Sequence, residues 1–478
     1  MIGVGIGLPF FKSFGGVDAQ AQAHFDRVIA DGGLVPSGLS GVNAFFTTVK
    51  TIYATSDITT AISVGLDAQV LGYKLGAGAG TTAGQAAQKL YSCSGASGDV
   101  VQTTAASQPL LLVHSGANYY WNSGESSNSL QSPSSAANQI TGTVDFDFGF
   151  EILPSGNFTQ GFGKVEGNAS GPSYACFIGS SGNVSYIDSL GSYNSVVNIS
   201  SFAPSAGNLF YVRLTLSGTT VTCFTSLDGT NWTSRGTATV APLVTSNSSP
   251  ITFSAGNFTG VQSKGYRLRI YNGLRDSGGA LAVDCNPNQY NAANSQTQWV
   301  STSGETWTIN VGTATTGYKG VLVDRTITMG DGINDSLESF SPLVSQPDTI
   351  YFSNRIVSTG GGWIIDGLGG NRQIINKGGA NINLFAGAFD FAAISVSLRN
   401  LLTCVFNGAS SQIQINNGTA TTGLNPGTLG LQNLTIHGTA GAFAEGTILT
   451  TIVSNSLNNS TQRTAMYDYI KSINNNAF

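Results

Sequence analysis

Charged residues are scarce in this chain. Lys and Arg together number 20 and Asp and Glu 25, so only 9% of the 478 residues are charged, whereas soluble domains typically have about 25%. Proteins that bind nucleic acids cluster Lys and Arg on one surface to neutralise phosphates, and the densest basic cluster here is Arg267-Leu268-Arg269. With a net charge of −5, the sequence argues against nucleic acid as a partner.

Long apolar runs and an export signal are also missing. No stretch of about 18 or more apolar residues occurs, so we expect no transmembrane helix and no membrane span. The first ten residues are apolar, but no Lys or Arg precedes them, whereas a secretory signal needs a basic segment before its apolar one. The sequence therefore argues against export through a secretion channel.

Cysteine and histidine are few and scattered. The five cysteines are Cys93, Cys176, Cys223, Cys285 and Cys404. The three histidines are His24, His114 and His437. Their spacing matches neither a disulfide framework nor a metal site, so we expect the cysteines to be small buried residues with free thiols. A long-range bridge between Cys176 and Cys223 is the alternative.

The residues that do abound are small and polar. The chain contains 62 Gly, 55 Ser, 48 Thr and 38 Asn, about two fifths of its length. Its hydrophobic share of 41% is ordinary, so the composition is not that of a disordered protein. Such a composition is typical of many short β-strands joined by small polar turns.

Helical periodicity is confined to the two ends of the chain. Apolar residues spaced three and four apart predict helices over 18–31, 41–53 and 461–473, and a further short helix is expected over 83–91. The Gly-rich apolar residues 1–16 are either an arm that docks on a neighbour or a disordered terminus. With the first two helices they suggest an anchoring region, whose expected contacts are aromatic: Phe10, Phe11, Phe14, Phe45 and Phe46.

From about residue 98 the periodicity changes to two. Residues 144–150 alternate apolar and polar side chains, and Asp228-Gly229 marks a turn between two strands. This spacing is typical of antiparallel sandwiches and jelly rolls. The sequence thus predicts a mainly β protein in five segments: an N-terminal arm 1–17, a helical hairpin or anchoring region 18–97, a first β-sandwich 98–285, a connector 286–318, and a second β-sandwich with a C-terminal helix 319–478.

Four segments have a recognisable pattern. They are the turn Gly332–Glu338, similar to a "DGxNDyl" opening, the hairpin Val405–Asn416, the closing segment Ser460–Ile470 and the lead-in Lys89–Pro109. Together they resemble laminin-G-like domains of the concanavalin A-like lectin/glucanase superfamily, over roughly 89–275 and 319–478. The resemblance implies two antiparallel jelly-roll sandwiches. Ser92 departs from it, because the lead-in usually has Asp there.

The whole layout resembles structural proteins of tailed bacteriophages and related viruses. It combines a Gly-rich start, a helical hairpin, lectin-like sandwiches and low charge. The resemblance implies a capsid decoration, spike, head-fibre or tail-fibre subunit, made in the host cytoplasm and located in the virion. Its partners would be other virion proteins, copies of itself as a homo-oligomer, and host cell-surface glycan. The alternative is a secreted or surface carbohydrate-binding module of a polysaccharide-processing protein.

The sequence contains no complete catalytic motif of the related glucanases. Glucanases of this superfamily carry Glu-X-Asp-X-X-Glu on one strand, where alternate residues share a face and flank the glycosidic bond. The closest run here places Asp145, Asp147 and Glu151 on one face but lacks the Glu pair. Asp in an alternating strand ordinarily faces water, so we expect no enzyme and no catalytic cofactor.

The resemblance also implies two kinds of binding site. Laminin-G-like sandwiches often bind Ca²⁺ through loop oxygens, which Asp331, Asn334 and Asp335 could supply; a polar hairpin turn is the alternative reading. Glycan binding needs exposed aromatic side chains, and the candidates are Tyr119, Tyr120, Trp121 and Trp232. Alternation points Tyr119 and Trp121 one way and Tyr120 the other, so at least one of these belongs to the core.

Overall fold

The computed structural model defines a mainly β fold with short helices at its two ends. It describes residues 16–76, 85–114, 118–122, 129–151, 160–164, 174–188, 190–205, 207–243, 249–253, 264–290, 298–310, 320–331, 333–341, 343–356, 362–378, 381–393, 399–439, 442–443 and 445–475. The sheets are predominantly antiparallel and are arranged as sandwiches.

The elements fall into three consecutive groups. The first group is α1 Ala19–Ala30, α2 Gly38–Tyr53, β1 Ile62–Asp67, β2 Tyr73–Leu75, β3 Gln85–Leu90, β4 Val100–Val101 and β5 Leu110–Leu112. The second is β6 Tyr120–Asn122, β7 Ser129–Ser132, β8 Val144–Glu151, β9 Gln160–Lys164, β10 Tyr174–Ile178, β11 Asn183–Ile187, β12 Tyr193–Asn198, β13 Leu209–Ser217, β14 Thr220–Ser226, β15 Thr233–Thr239, β16 Ile251–Phe253, β17 Lys264–Asn272, β18 Ala280–Cys285, β19 Gln298–Val300, β20 Thr306–Asn310 and β21 Val321–Val323. The third is β22 Ile327–Asp331, β23 Leu337–Ser339, β24 Asp348–Ile356, β25 Gly362–Gly367, β26 Ile374–Gly378, β27 Asn381–Phe385, β28 Phe389–Ala393, β29 Asn400–Phe406, β30 Ser411–Ile415, β31 Thr421–Leu424, β32 Leu434–Ile436, β33 Gly438–Thr439, β34 Ala442–Phe443, β35 Glu445–Ser454 and α3 Ser460–Ile473.

The second group forms a two-sheet sandwich of its own. One sheet has the strand order β15-β14-β13-β8-β17-β6-β21, with β18 also paired to β17, and the other has the order β12-β11-β10-β9-β16-β7-β20-β19. Phe146 and Phe148 of β8 point into the space between them, where the Phe162 ring lies 5.2 and 5.3 Å away. We call this unit, residues 120–323, the inserted sandwich.

The first and third groups build one unit together, which we call the base. β35 pairs along one edge with β24, where Tyr351 lies opposite Ile452. Its other edge pairs with β22, where Thr328 lies opposite Ile448, and with β1, where Gly65 also lies opposite Ile452. β1 and β22 are therefore end to end along β35, although they come from opposite sides of the inserted sandwich in sequence.

A second layer completes the base. It contains β2, β3, β4, β23, β32, β25, β26, β27 and β28, and β3 links it to the first layer by also pairing with β5. The core between the layers takes apolar side chains from both parts of the chain, including Val64, Leu66, Leu90, Ile350, Phe352, Ile365, Leu402, Leu434 and Val453. The N-terminal strands therefore contribute part of the core of a unit whose other strands are C-terminal.

This pairing groups the chain differently from the five predicted segments. β1 to β5 lie in the segments 18–97 and 98–285, yet they pair with each other and with strands of 319–478. β19 and β20, in the predicted connector 286–318, pair within the inserted sandwich. The physical reason is backbone hydrogen bonding: strand edges far apart in sequence satisfy each other's N–H and C=O groups, and local periodicity does not reveal which edges meet.

The structure confirms the predicted helices over 18–31, 41–53 and 461–473. The Asp18 carboxylate accepts from the N–H groups of Gln20 and Ala21 and so caps α1. Asn459 and Gln462 form a capping box at the start of α3. All three helices pack outside the layer that contains β35, and the Phe45 ring of α2 lies 5.8 Å from that of Tyr469 in α3.

The helix predicted over 83–91 is wrong, because the segment Gln85–Leu90 is the strand β3. Its Ala and Gln residues suit a helix locally. In the structure, however, β3 pairs with β2, β4 and β5. Three strand partners give its backbone groups hydrogen bonds that an isolated helix would make internally, and the tertiary contacts override the local preference.

Buried ion pairs and apolar contacts fix the junction between the two units. Arg399 of the base binds Asp324, just after β21, through two hydrogen bonds of 2.7 Å. The next residue, Arg325, pairs with Asp67 of β1 at 2.5 Å and donates to the Ile473 carbonyl of α3. An apolar cluster spans the same junction and contains Leu110, Leu112, Tyr120, Val321, Val323, Ile327, Met329 and Leu449. Polar and apolar contacts therefore both hold the junction between the inserted sandwich and the base.

All five cysteines are buried and free, as predicted, and no bridge joins Cys176 to Cys223. Burial raises the pKa of the Cys93 thiol to about 12. Among the residues that the structure describes, no helix is long and apolar enough to cross a membrane.

His437 is a buried histidine in the base. Its φ is +67°, a left-handed conformation, and its Nε2 lies 3.1 Å from the Thr328 Oγ1. Burial lowers the pKa of this imidazole to about 3. The ring is therefore neutral in the folded chain throughout the weakly acidic range.

We predict that His437→Asn reduces the acid sensitivity of the fold. Below about pH 6.5 the unfolded histidine gains a proton that the folded one does not, so wild-type stability falls as the pH drops from about 6.5 towards 3. Asn tolerates positive φ and has an amide for Thr328. Between pH 6.5 and 4 the variant should lose roughly 1–3 kcal/mol less free energy of unfolding than wild type, measured by urea titration at each pH.

The control is His114→Asn, because His114 is only half-buried. Its pKa is lowered by burial, but we expect a smaller change of slope. Equal pH slopes for wild type and His437→Asn would contradict the assignment.

Candidate binding sites of the inserted sandwich

Strand β8 separates apolar from ionised side chains by simple alternation. Phe146, Phe148 and Phe150 face the core, so Asp145 and Asp147 project from the opposite face of the sheet. We expected these carboxylates to face water, and that expectation is wrong, since both are buried. Neighbouring arginines and a covering loop account for the burial.

Asp145 is held by Arg213 of β13. The guanidinium Nε lies 2.9 Å from both carboxylate oxygens and Nη2 lies 2.5 Å from Oδ2. The backbone N–H of Arg275 donates to the same Oδ2 at 3.1 Å. Arg213 also binds Asp276 at 2.7 Å. Because Arg213 is only 3% exposed, this is a desolvated ion pair rather than a surface one.

Asp147 is held by two more arginines. Arg267 of β17 donates to its Oδ1 at 2.8 Å and Arg275 to its Oδ2 at 3.1 Å. Burial raises the pKa of the Asp147 carboxyl, while Arg267, Arg269 and Arg275 act in the opposite direction. Each oxygen of this buried carboxylate therefore accepts from an arginine.

Aromatic rings extend this charged face. The guanidinium of Arg267 lies 4.8 Å from the Tyr211 ring centroid, and that of Arg213 lies 5.3 Å from Phe224 and 6.0 Å from Trp232. Such contacts stabilise each arginine by cation–π attraction. The arginine partners were not among our predicted site residues. The sequence did contain a signal for them: Arg267 and Arg269 alternate along one strand and so share a face, as residues beside Asp147 on a neighbouring strand must.

The predicted glycan-binding aromatics do not meet in one place. Tyr120 and Trp121 are buried, and the Tyr120 hydroxyl donates to the Val113 carbonyl at 3.0 Å. Tyr119 is half-buried at the junction, where its ring lies 5.7 Å from that of His114. Trp232 is half-buried on the β14–β15 turn. Tyr120 and Trp121 therefore belong to the core. We had predicted from the alternation of side chains that at least one of these aromatic residues would.

The predicted calcium oxygens lie in a hydrogen-bonded turn. Asp331 Oδ1 accepts from the N–H groups of Ile333 and Asn334 at 2.8 and 3.3 Å. Asp335 Oδ2 accepts from the Asp331 N–H at 3.0 Å. These hydrogen bonds are those of a polar turn, which was the alternative to a calcium site. Within the described ranges, no group of three or more His, Cys, Asp or Glu side chains is arranged to hold a metal ion. Calcium binding stays a prediction.

The predicted anchoring residues divide into two sets. Phe45 and Phe46 are buried between α2 and the rest of the base, so they stabilise the base and offer no surface to another protein. Phe10, Phe11 and Phe14 lie outside the described residues. Any anchoring surface in the described part of the chain must therefore be formed by other side chains.

A polar cleft opens where two strands of the inserted sandwich diverge. β7 and β20 are paired from Gln131 opposite Thr308 to Ser129 opposite Asn310. Beyond Ser132 the strands separate and enclose a cavity of about 320 Å³, lined by Ser132, Pro133, Ser134, Ser135, Ser303, Gly304, Glu305 and Thr306. This site has no distinctive signal in the sequence, because Ser-rich turns such as 132–135 and 301–306 occur throughout the chain.

Comparison with known proteins adds structural neighbours only. No protein-family model matches the chain, and no curated protein matches it. Among solved structures it is similar to domains LG4-5 of the mouse laminin α1 chain, with 10% identity over 74% of this chain and 94% of that one and a TM-score of 0.28.

Two further neighbours are of the same quality. The LG1-3 region of the laminin α2 chain has 10% identity over 71% of this chain and 63% of that one, with a TM-score of 0.27. A Trypanosoma rangeli sialidase in complex with the inhibitor DANA has 11% identity over 66% and 72%, with a TM-score of 0.25. Laminin G domains are thus among the structural neighbours, but scores this low carry no argument about function.

We predict that Arg213→Met is strongly destabilising. It leaves the Asp145 carboxylate buried without its ionic partner, which typically costs about 3–5 kcal/mol. Arg235→Met is the matched control: Arg235 is half-buried, donates to Thr225 Oγ1 and covers the Phe202 ring at 4.0 Å, and its loss should cost about 1 kcal/mol or less. Chemical denaturation of both variants measures the difference. Equal losses would mean that Asp145 finds another partner.

Proposed function

We propose that this chain is a non-enzymatic structural protein of a virus particle, in which the base joins the particle and the inserted sandwich is displayed. The observation that carries the proposal is the insertion itself. The chain enters the sandwich after β5 and returns to β22, and these two strands are neighbours, with Leu112 opposite Ile327. One unit is therefore carried on the other through two adjacent strands.

The junction supports display because buried ion pairs and apolar contacts hold it together. Asp324 and Arg325 bind Arg399 and Asp67, and all four residues are buried. The apolar cluster around Tyr120 and Met329 fills the space beside them. A module that meets a target at a particle surface gains from a fixed orientation, since less conformational freedom is lost on binding.

The charged face supports a binding role over a catalytic one. Asp145 and Asp147 are the carboxylates closest to a glucanase arrangement, and each is occupied by arginine. A glycosidase needs one carboxyl free to protonate the leaving oxygen and another free to act as nucleophile or base. The display proposal asks for neither.

Exposed aromatic residues on the base suggest where copies or other virion proteins dock. Phe389 and Phe391 project from β28 and are 60% and 59% exposed. β28 pairs with β27 along one edge, and among the described residues no strand pairs with its other edge. Exposed apolar side chains on an open edge strand are typical of an association surface. They support assembly as a homo-oligomer or onto the particle through the base.

A second candidate function is a carbohydrate-binding module of a secreted or surface protein. The polar cleft between β7 and β20 favours it, because a concave, hydroxyl-lined cavity suits a sugar whether or not the base belongs to a virion. In the first function, the same cleft would serve attachment to host-surface glycan.

Particle incorporation tests the first function. Co-expressed with the proteins encoded by the neighbouring genes, the wild-type chain should co-sediment with assembled particles. Phe389→Ser/Phe391→Ser should be absent from them while keeping the wild-type melting curve, because these exposed side chains contribute to association and little to folding. A chain lacking residues 1–15 tests the predicted arm by the same assay.

The matched control is Leu190→Ser, which removes an exposed apolar side chain from the inserted sandwich instead. It should be incorporated as well as wild type. Full incorporation of both the double variant and the truncated chain would sink the proposal that the base anchors the protein.

A further inference from the structure

The cleft between β7 and β20 has an ammonium behind one wall. Lys164 is fully buried, and its Nζ lies 2.7 Å from Ser134 Oγ, 2.9 Å from Asn138 Oδ1 and 2.9 Å from the Ser249 carbonyl. Its three N–H donors thus reach three neutral acceptors. Among the described residues it has no carboxylate partner, and burial lowers the pKa of Lys164 to about 8.

This arrangement leaves the Ser134 hydroxyl as a donor. Its oxygen accepts from the Lys164 ammonium and, at 3.4 Å, from the Gln139 amide. A hydroxyl whose oxygen already accepts two hydrogen bonds still has its own proton to donate. Accepting from a charged donor polarises the O–H bond and strengthens that donation. Ser134 lines the cleft, so a ligand there meets a strong neutral donor.

The opposite wall has a carboxylate. Glu305 is 5% exposed and lines the cleft. Its Oε2 accepts from Ser301 Oγ at 2.7 Å and from Ser303 Oγ, and among the described residues nothing donates to its Oε1. No Lys or Arg of the described residues is within ion-pair distance of it. Glu305 therefore brings a strong acceptor to the cleft with one oxygen left for a ligand.

The two walls select the chemistry of the ligand. An anion would meet the Glu305 carboxylate and a cation would meet the Lys164 ammonium, so either charge is disfavoured by one wall. An apolar ligand would offer no acceptor to the Ser134 hydroxyl proton and no donor to the Glu305 Oε1. A polyol satisfies both, because one of its hydroxyls accepts from Ser134 while another donates to Glu305. At about 320 Å³, the cavity is at the small end of ligand pockets, a size that suits one sugar ring.

From these contacts we infer that the cleft binds a neutral pyranose unit of a glycan, recognised through its hydroxyl groups by Ser134 and Glu305. The inference deepens the proposed display function, because it names the class of ligand that the displayed sandwich recognises. Ser134 is the donor, Glu305 the acceptor, and Lys164 is a positioning residue that holds and polarises Ser134.

Binding in solution tests the inference on the full chain. The probes are a panel of neutral methyl pyranosides and N-acetylhexosamines, with a sialic acid and a uronic acid as charged comparisons, followed by saturation-transfer NMR and calorimetry. At least one neutral probe should bind, and the charged probes should not. Ser134→Ala and Glu305→Gln should each weaken that binding by about tenfold or more, as expected for the loss of a charge-assisted hydrogen bond.

The control is Ser217→Ala, which removes an exposed hydroxyl at the end of β13 and should leave the dissociation constant unchanged. Melting curves identify a variant that fails to fold. Because Ser134→Ala and Glu305→Gln change opposite walls of the cleft, one folded variant is enough to test whether the cleft binds the sugar. Binding of charged sugars only, binding that neither variant weakens, or no binding by any neutral probe would each overturn the inference. None of these outcomes changes the expected particle incorporation, so the proposed display function is tested separately by co-sedimentation.

Discussion

The backbone hydrogen bonds of β35 hold the base together. This strand, Glu445–Ser454, pairs along one edge with β24 and along the other with β22 and β1 in succession. A buried N–H or C=O left without a partner costs free energy comparable to a lost hydrogen bond, so half of one edge of β35 depends on a strand near the start of the chain. The base is therefore a single structural unit made from both ends of the chain, and the inserted sandwich interrupts it in sequence.

The scarcity of charge becomes meaningful in this arrangement. Two ion pairs, Asp67 with Arg325 and Asp324 with Arg399, hold the two residues directly after the inserted sandwich to the base. Others fix the face of β8, where arginines cover Asp145 and Asp147. Much of the small set of charged side chains is thus used inside the fold, where ion pairs specify geometry more than they add stability. With these charges inside the fold, the many Ser, Thr and Asn residues leave a surface rich in hydroxyl and amide groups, which can hydrogen-bond uncharged ligands.

The sequence predicted those features that local periodicity determines. The three helices and the alternation of β8 follow from spacings of three to four and of two residues, because one buried face is enough to produce each pattern. Periodicity did not reveal that β1 belongs beside β35, since the pairing of Ile62 with Ser454 has no local signature. Periodicity also did not show whether Asp147 faces water or arginines. Ser134 and Glu305 lie in turns far apart in sequence, so only the fold shows that both line one cleft.

The most direct test of this account is to remove the inserted sandwich. Leu112 lies opposite Ile327 in an antiparallel pair, so an Asn-Gly turn replacing residues 115–324 can close a hairpin between β5 and β22. The account predicts that this shortened chain unfolds in one cooperative transition, with dispersed amide NMR signals. The fragment 319–478, which lacks β1 to β5, should not. A fragment 319–478 that folds cooperatively by itself would contradict the claim that both ends of the chain build the base.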